Sequence, residues 1–240
     1  MVTESIELSE SVVRAKREQV QANDILCGDC LELLPKLPPS SVNFALTDPP
    51  YLVRYKSRDG RTIQNDDNDS WLIPAFREIH RVLERNSYCV SFYGWPHADK
   101  FMHAFRRAGF NIVGHLVFPK PYTSSTSHLK YQHECAFLLA KGYPQKPQAP
   151  IGDVIPWAYS GNKLHPTQKP LAALKPLIQA FSARSGLVLD PFAGSGSTLI
   201  AAMRLGRPFL GIEIDPTYHA AAAGRITSEK SASQTLKAAA

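Results

Sequence analysis

Apolar residues fall into two rhythms along this chain. Short, nearly unbroken apolar runs occur at Val42–Thr47, Tyr88–Tyr93, Ile112–Phe118, Cys135–Ala140, Leu187–Leu189 and Phe209–Ile214. Residues apolar at successive positions suit strands covered on both faces, so these runs predict the interior of a sheet. Between them, apolar positions recur at helical spacing. Leu72, Phe76, Ile79 and Leu83 make one stripe after Ser70, with Pro74 tolerable in a first turn. Further helices are predicted near Asp99–Ala108, Leu171–Ala183, Thr198–Leu205 and Thr217–Ile226. The alternation predicts an α/β fold with a doubly wound, mostly parallel sheet. Residues 1–22 read as a polar N-terminal arm, 23–226 as a single domain, and the Ser/Ala/Lys-rich residues 227–240 as a frayed or disordered tail. The Pro-rich stretch Tyr143–Pro150 reads as a linker or surface loop.

Composition narrows the class only a little. A chain of 240 residues with 44% hydrophobic and 20% charged positions is ordinary for one folded domain and argues against wholesale disorder. No apolar run approaches a membrane span, and Met1–Val20 has no apolar signal core, so the expected address is cytoplasmic, with no membrane partner. A net charge of +6 favours polyanionic partners, a weak signal alone. Cys27-Gly-Asp-Cys30 has a spacing that redox or zinc sites use. No second such pair accompanies it, so the expectation is reduced structural thiols and no metal.

Two strings carry chemistry. The first is Leu187-Val-Leu-Asp-Pro-Phe-Ala-Gly-Ser-Gly-Ser-Thr198: an apolar strand, a glycine turn and a capped helix start. Gly194 and Gly196 allow close backbone approach to a ligand, and a helix N-terminus offers N–H groups to a carboxylate or phosphate. The next strand ends in Gly211-Ile-Glu-Ile-Asp215, and Glu213 is placed where an acid accepts ribose hydroxyls in such folds. A dinucleotide-binding oxidoreductase would put a third glycine at position 199, where Leu199 stands. A tight turn with no ligand also fits the string.

The second string is Asp48-Pro-Pro-Tyr51, which halts the strand Val42–Thr47. Its two prolines fix φ and present Asp48 and Tyr51 on a rigid turn at the sheet edge where ligands of open α/β sheets bind. The exocyclic amine of adenine or cytosine is a poor nucleophile because its lone pair is delocalised into the ring. The Asp48 carboxylate and the Pro49 carbonyl can each accept one N–H and free that lone pair, while Pro50 holds the turn and Tyr51 stacks on a base that has left the helix. A strand-ending turn with a surface acid is the bland alternative.

With these strings in order, the chain resembles the amino-group (N6-adenine/N4-cytosine) DNA methyltransferases of bacteria and phages in their β arrangement, where the catalytic turn precedes the glycine turn. Gly28-Asp-Cys30, with Leu31 and Leu34, and His165-Pro-Thr-Gln-Lys-Pro170 match the family as well, and the similarity spans roughly residues 23–226. The resemblance implies the Rossmann-like fold of S-adenosylmethionine-dependent methyltransferases, with a seven-stranded sheet and one antiparallel edge strand. It implies Asp48, Pro49, Pro50 and Tyr51 as the catalytic turn within a catalytic region, 42–140. Cofactor binding falls to 165–226 and to Asp29 near the cofactor adenine. Asp190, Phe192, Gly194 and Gly196 line the S-adenosyl-L-methionine site, Glu213 takes the ribose, and Thr167 and Lys169 lie near the methionine end. Asp-Pro-Pro-Tyr leans towards adenine N6. Cytosine N4, an amine of RNA or protein, and a catalytically silent DNA-binding relic are the alternatives.

One departure concerns DNA reading. Family members commonly insert a sizeable recognition segment where this chain has only 141–164. Reading of double-stranded DNA is therefore expected from Tyr51–Trp71, where Arg54, Lys56, Arg58 and Arg61 would hold phosphates, and from Lys120–Tyr131. So short a segment suggests a short target or a homodimer that shares the reading. A separate restriction endonuclease as partner is left open.

Overall fold

The computed structural model describes residues 22–56, 60, 62–158 and 168–238, the last six in backbone alone. Its strands are β1 (Asp24–Cys27), β2 (Val42–Thr47), β3 (Leu83–Tyr93), β4 (Asn111–Pro119), β5 (Ser125–Thr126), β6 (Lys130–Tyr131), β7 (His133–Lys141), β8 (Val188–Asp190) and β9 (Phe209–Glu213). Seven form one sheet in the order β1-β9-β8-β2-β3-β7-β4, and β5 pairs with β6 as a separate hairpin. The helices are α1 (Cys30–Leu33), α2 (Leu72–Val82), α3 (Ala98–Ala108), α4 (Leu171–Phe181), α5 (Ser197–Arg204) and α6 (Pro216–Ala238). Among the described residues no helix is long and apolar enough to cross a membrane.

The continuous apolar runs exist because the sheet is covered on both faces. Along β2, Phe44 and Leu46 pack into one layer with Leu174, Leu177, Leu199 and Ile200, whereas Ala45 faces a second layer with Phe76, Ile79, Phe101 and Phe105. The chain crosses from β2 through α2 on one face and from β8 through α5 on the other, and β2 pairs directly with β8. The winding therefore reverses between these two strands, and their C-terminal ends splay into the crevice where such sheets bind ligands.

Four sequence expectations are corrected. The antiparallel strand is β7, and it lies between β3 and β4, not at the edge. The stripe assigned to one helix breaks at Val82, and Leu83 opens β3. Lys141 makes this abrupt stop possible by donating to the carbonyls of His80 (2.7 Å) and Leu83 (2.6 Å), groups the helix end leaves unsatisfied. β1 is an addition to the expected strands: four residues with Ile25 as the one fully buried position give too short a pattern. Finally, α6 continues through the expected tail to Ala238. There Thr227, Ser228 and Ser231 hydroxyls bond back to carbonyls four residues earlier, and Arg204 grips Glu229 through two bonds of 2.6 and 2.9 Å.

Phe76 shows how the second layer is locked. It is fully buried and meets Phe105 edge-on, with ring centres 4.7 Å apart at 69°. Phe76→Ala should cost about 3–5 kcal/mol of unfolding free energy, read from urea denaturation. A loss below about 1 kcal/mol would mean that α2 and α3 collapse into the gap.

Candidate functional site

Four parallel strands end side by side, and each end contributes to one cleft. Gly28 and Asp29 follow β1, Asp48 follows β2, Asp190 closes β8, and Glu213 closes β9. Phe192 and Trp71 pack edge-on at 5.2 Å on its wall. Six acids line the cleft (Asp29, Asp48, Asp66, Asp190, Glu213 and Asp215), against Lys169 as the one cationic side chain among the described lining residues. In a protein of net charge +6, this local reversal is a statement about the ligand. It suits a cation that carries hydroxyls and amines, and it repels a pyrophosphate.

The glycine turn sharpens the point. Gly194 takes φ 51°, and its N–H donates to Glu213 Oε2 at 2.7 Å, while Gly196 N–H donates to the Ala193 carbonyl. These amides are already engaged, so the start of α5 is no open phosphate cradle of the dinucleotide-binding kind. Glu213 Oε1 accepts from the Asp215 N–H at 2.8 Å, and burial pushes the Glu213 carboxyl up. Asp190 accepts from the Phe192 N–H at 3.1 Å, and burial pushes its carboxyl up to about 7. Arg225 on α6 braces the turn through the Ser195 carbonyl. Gly196 does not line the cleft. It sits at φ 77°, where an added Cβ would come within 3.0 Å of the Ala222 Cβ, so its glycine is required by helix packing.

Asp29 lines the cleft and caps α1 by accepting from the Leu31 N–H at 2.8 Å. Of the two cysteines beside it, Cys27 is exposed and Cys30 is a buried thiol that burial pushes up to about 12. Both are free.

On the Asp-Pro-Pro-Tyr turn, both oxygens of Asp48 are occupied. Oδ1 accepts from the Tyr51 hydroxyl at 2.8 Å and Oδ2 from Lys169 Nζ at 2.6 Å. Burial raises the Asp48 carboxyl, and the Lys169 ammonium pulls it only part of the way back. Lys169, 7% exposed, also lies over the rings of Tyr51 (5.2 Å) and Phe92 (5.0 Å). Lys169 is thus a partner of the catalytic turn itself as well as a wall of the cleft. Leu52 follows at φ 64°, a left-handed conformation unusual for a leucine, which is where strain collects in binding sites.

Sequence reasoning missed three residues here. Glu134 Oε2 accepts from the same Tyr51 hydroxyl at 3.2 Å, and Lys120 binds the other oxygen of Glu134. Trp71 forms part of the cofactor-side wall. An acid standing just before the apolar run Cys135–Ala140 was the available signal for Glu134.

The proposed DNA-contact residues stand apart from the cleft. Arg54 and Lys56 are exposed; the loop beyond Tyr51 is held by the Asp66 carboxylate, which accepts from the N–H groups of Val53 (3.3 Å) and Tyr55 (2.6 Å). Arg58 and Arg61 lie outside the described residues, as do His165 and Thr167. In the other recognition stretch the hairpin β5–β6 carries Tyr131, on which the exposed Trp95 stacks at 6.0 Å.

Asp190 makes stability depend on pH. Its carboxyl titrates near 3.8 in the unfolded chain and near 7 in the fold, so the folded state holds the extra proton between these values. The resulting stabilisation is complete below about pH 4 and is lost as pH rises through about 7. Relative to Asp190→Asn, which keeps the shape without the titration, the wild-type melting temperature should fall from about pH 5 to 7 and level off above about pH 8. A constant difference would show that Asp190 titrates as an ordinary carboxylate.

Comparison with known proteins agrees with this geometry. The model of the N6/N4 family described as DNA methylase matches residues 42–224. "Putative methylase YubD" of Escherichia coli (strain K12) is 51% identical over 86% of this chain and 91% of its own length. DNA adenine methyltransferase YhdJ of the same organism is 30% identical over 82% of this chain and 80% of its own. The crystal structure of a DNA modification methylase from Thermus thermophilus, complexed with S-adenosyl-L-methionine, superposes with a TM-score of 0.66 at 26% identity, covering 86% of this chain and 93% of that one. The adjoining ends of β2 and β8, with an amine-accepting turn on one and an acidic cleft on the other, are thus the site of a protein that belongs to the N6/N4 DNA methylase family.

Proposed function

We propose that this chain transfers a methyl group from S-adenosyl-L-methionine to the N6 amine of adenine in double-stranded DNA. The observation that carries the reading is the placement of Asp48 at the switch point of the sheet, with the Asp-Pro-Pro-Tyr turn on one side and the acidic cleft on the other. The sulfonium of the cofactor is a cation, and the cleft is a cluster of buried or half-buried carboxylates, so the residues present fit it. Glu213 would hold the ribose hydroxyls through the lone pairs that Gly194 and Asp215 leave free. Asp29 and Phe192 would flank the adenine, Gly194 lets the backbone approach, and Lys169 with Thr167 would face the methionine end. When bound, the cofactor supplies a methyl group already activated by the sulfonium, so no covalent enzyme intermediate is needed.

The chain's own work is alignment. Asp48 and the Pro49 carbonyl accept the two amine N–H groups, drawing the nitrogen towards tetrahedral geometry, while Tyr51 offers its ring to the flipped base. The adenine assignment is supported by the Asp-Pro-Pro-Tyr string and by the 30% identity to the E. coli adenine enzyme.

Incubation with methyl-labelled cofactor and mixed-sequence DNA, followed by digestion to nucleosides, tests the reading. Label is expected in N6-methyladenine. Label in N4-methylcytosine overturns the base, and no label anywhere identifies a silent relic. In the same assay Asp48→Asn should lower transfer by more than roughly 10²–10³-fold with cofactor affinity within a few fold, because its contacts are made to the amine. Glu213→Ala should instead weaken cofactor binding in calorimetry. Equal cofactor loss in both variants would sink this division of labour.

Phosphate contacts are assigned to Arg54, Lys56, Arg58 and Arg61, on the strength of their charge and the exposure of the first two. Replacing all four by Ala should weaken binding to every DNA alike and flatten the salt dependence by up to roughly four units of slope. If affinity drops for the cognate sequence alone, these side chains read bases.

A further inference from the structure

We propose that Glu134 is a positioning residue that takes over the Tyr51 hydroxyl when the target amine reaches Asp48, leaving Asp48 free to accept it. The proposal rests on the reading of Asp48 as the amine's acceptor.

The geometry poses a problem that Glu134 solves. Asp48 has no idle oxygen: Tyr51 holds Oδ1 and Lys169 holds Oδ2. Lys169 cannot leave without stranding two buried charges. Tyr51 can leave, provided its hydroxyl finds another acceptor, because a buried hydroxyl without a partner is costly. Glu134 Oε2 already stands 3.2 Å from that hydroxyl, against 2.8 Å for Asp48. A phenol has one proton to donate, so it can serve one carboxylate at a time. Turning the O–H about the C–O bond moves the donated bond from Asp48 to Glu134. No covalent bond breaks, and the count of hydrogen bonds is unchanged.

Two features fit Glu134 to this role. Its other oxygen is held by Lys120, which is 7% exposed, so the receiving carboxylate is fixed in place. Burial alone would raise the Glu134 carboxyl, but the Lys169 and Lys120 ammoniums and the Tyr51 hydroxyl outweigh it and hold it below the usual range, which keeps it an acceptor at neutral pH. The Tyr51 ring need not move. Gly94, just past β3, packs so closely that an added Cβ would come within 2.7 Å of the Tyr51 Cβ, and this contact keeps the ring in position for a base.

Glu134→Gln tests the idea without changing size. Lys120 would retain the amide carbonyl, which turns the amide NH2 towards Tyr51. That group donates and cannot accept, so the phenol proton is locked on Asp48. We expect kcat to fall roughly 10- to 100-fold, the scale of one hydrogen bond to a charged group, with cofactor affinity and melting temperature near those of the wild type. Tyr51→Phe removes the contested hydroxyl, and in that background Glu134→Gln should change kcat by less than about twofold. A second reading comes from NMR of ring-labelled tyrosine. The Tyr51 signal should shift on adding DNA that the wild type methylates, and should stay put in Glu134→Gln. If Glu134→Gln fails to fold, Glu134→Asp, which draws the carboxylate back by one methylene, is carried through the same cycle with the same expectation. Equal losses with and without the Tyr51 hydroxyl, or a rise in KM for DNA with kcat intact, overturn the proposal alone. A wild-type chain that transfers no methyl overturns the functional reading, and this proposal with it.

Discussion

Setting a carboxylate at the end of an interior strand costs several kcal/mol in lost hydration unless a counter-charge comes with it. Asp48 is in that position, and its counter-charge, Lys169, lies 121 residues further along the chain. The pair forms because the sheet is wound in both directions. Lys169 immediately precedes α4, and α4 buries Leu174, Leu177 and Ile178 against the face of β2 that carries Phe44 and Leu46. Apolar packing therefore delivers the ammonium, and aromatic faces on Tyr51 and Phe92 help to keep it there. Without it Asp48 would take up a proton and lose part of its capacity as an acceptor. The chemistry of the catalytic turn is thus tied to the hydrophobic layer beneath it.

The same winding keeps two opposite electrostatic tasks apart. DNA calls for positive charge, and the chain has a surplus of six. The cleft reverses that sign because all four strand ends present acids, three of which (Asp48, Asp190 and Glu213) are pushed up by burial. Raised carboxylates gain from a nearby cation. A cationic ligand is favoured over an anion there, while the exposed Arg54 and Lys56 stand outside the cleft, on the chain just past the catalytic turn.

What could be read from the sequence follows from what is local. The Asp-Pro-Pro-Tyr turn and the glycine turn are fixed by backbone constraints within a few residues, so their strings announce them. β2, β7 and β9 are apolar at nearly every position because helices or neighbouring layers cover both faces, and their runs were legible for that reason. The first half of β3 was not, since Glu84, Arg85 and Asn86 reach towards solvent at the end of the strand and hide its extent. Glu134 and Lys120 were invisible for a different reason. They meet through the antiparallel pairing of β4 with β7, which sets Phe118 against Glu134 and Pro119 against His133, and the intervening sequence gives no sign of that register. Gly196 carried the opposite error: a glycine in a ligand-binding string is required here by the neighbouring Ala222.

Around Tyr51 the accounting of charge explains why such a crowded arrangement is stable. Asp48 and Glu134 bring two negative charges, Lys169 and Lys120 two positive ones, and the Tyr51 hydroxyl is held neutral because its burial and both carboxylates push its titration far up. The cluster has no net charge, so each ion is paired and none has to be expelled to solvent. Removing any one member leaves a unit charge in a poorly hydrated place, which is far more costly than the loss of the pair as a whole. The cluster therefore behaves as a unit. A neutral base can approach it without altering that balance, and what has to rearrange is the direction of one O–H bond, not the position of a charge.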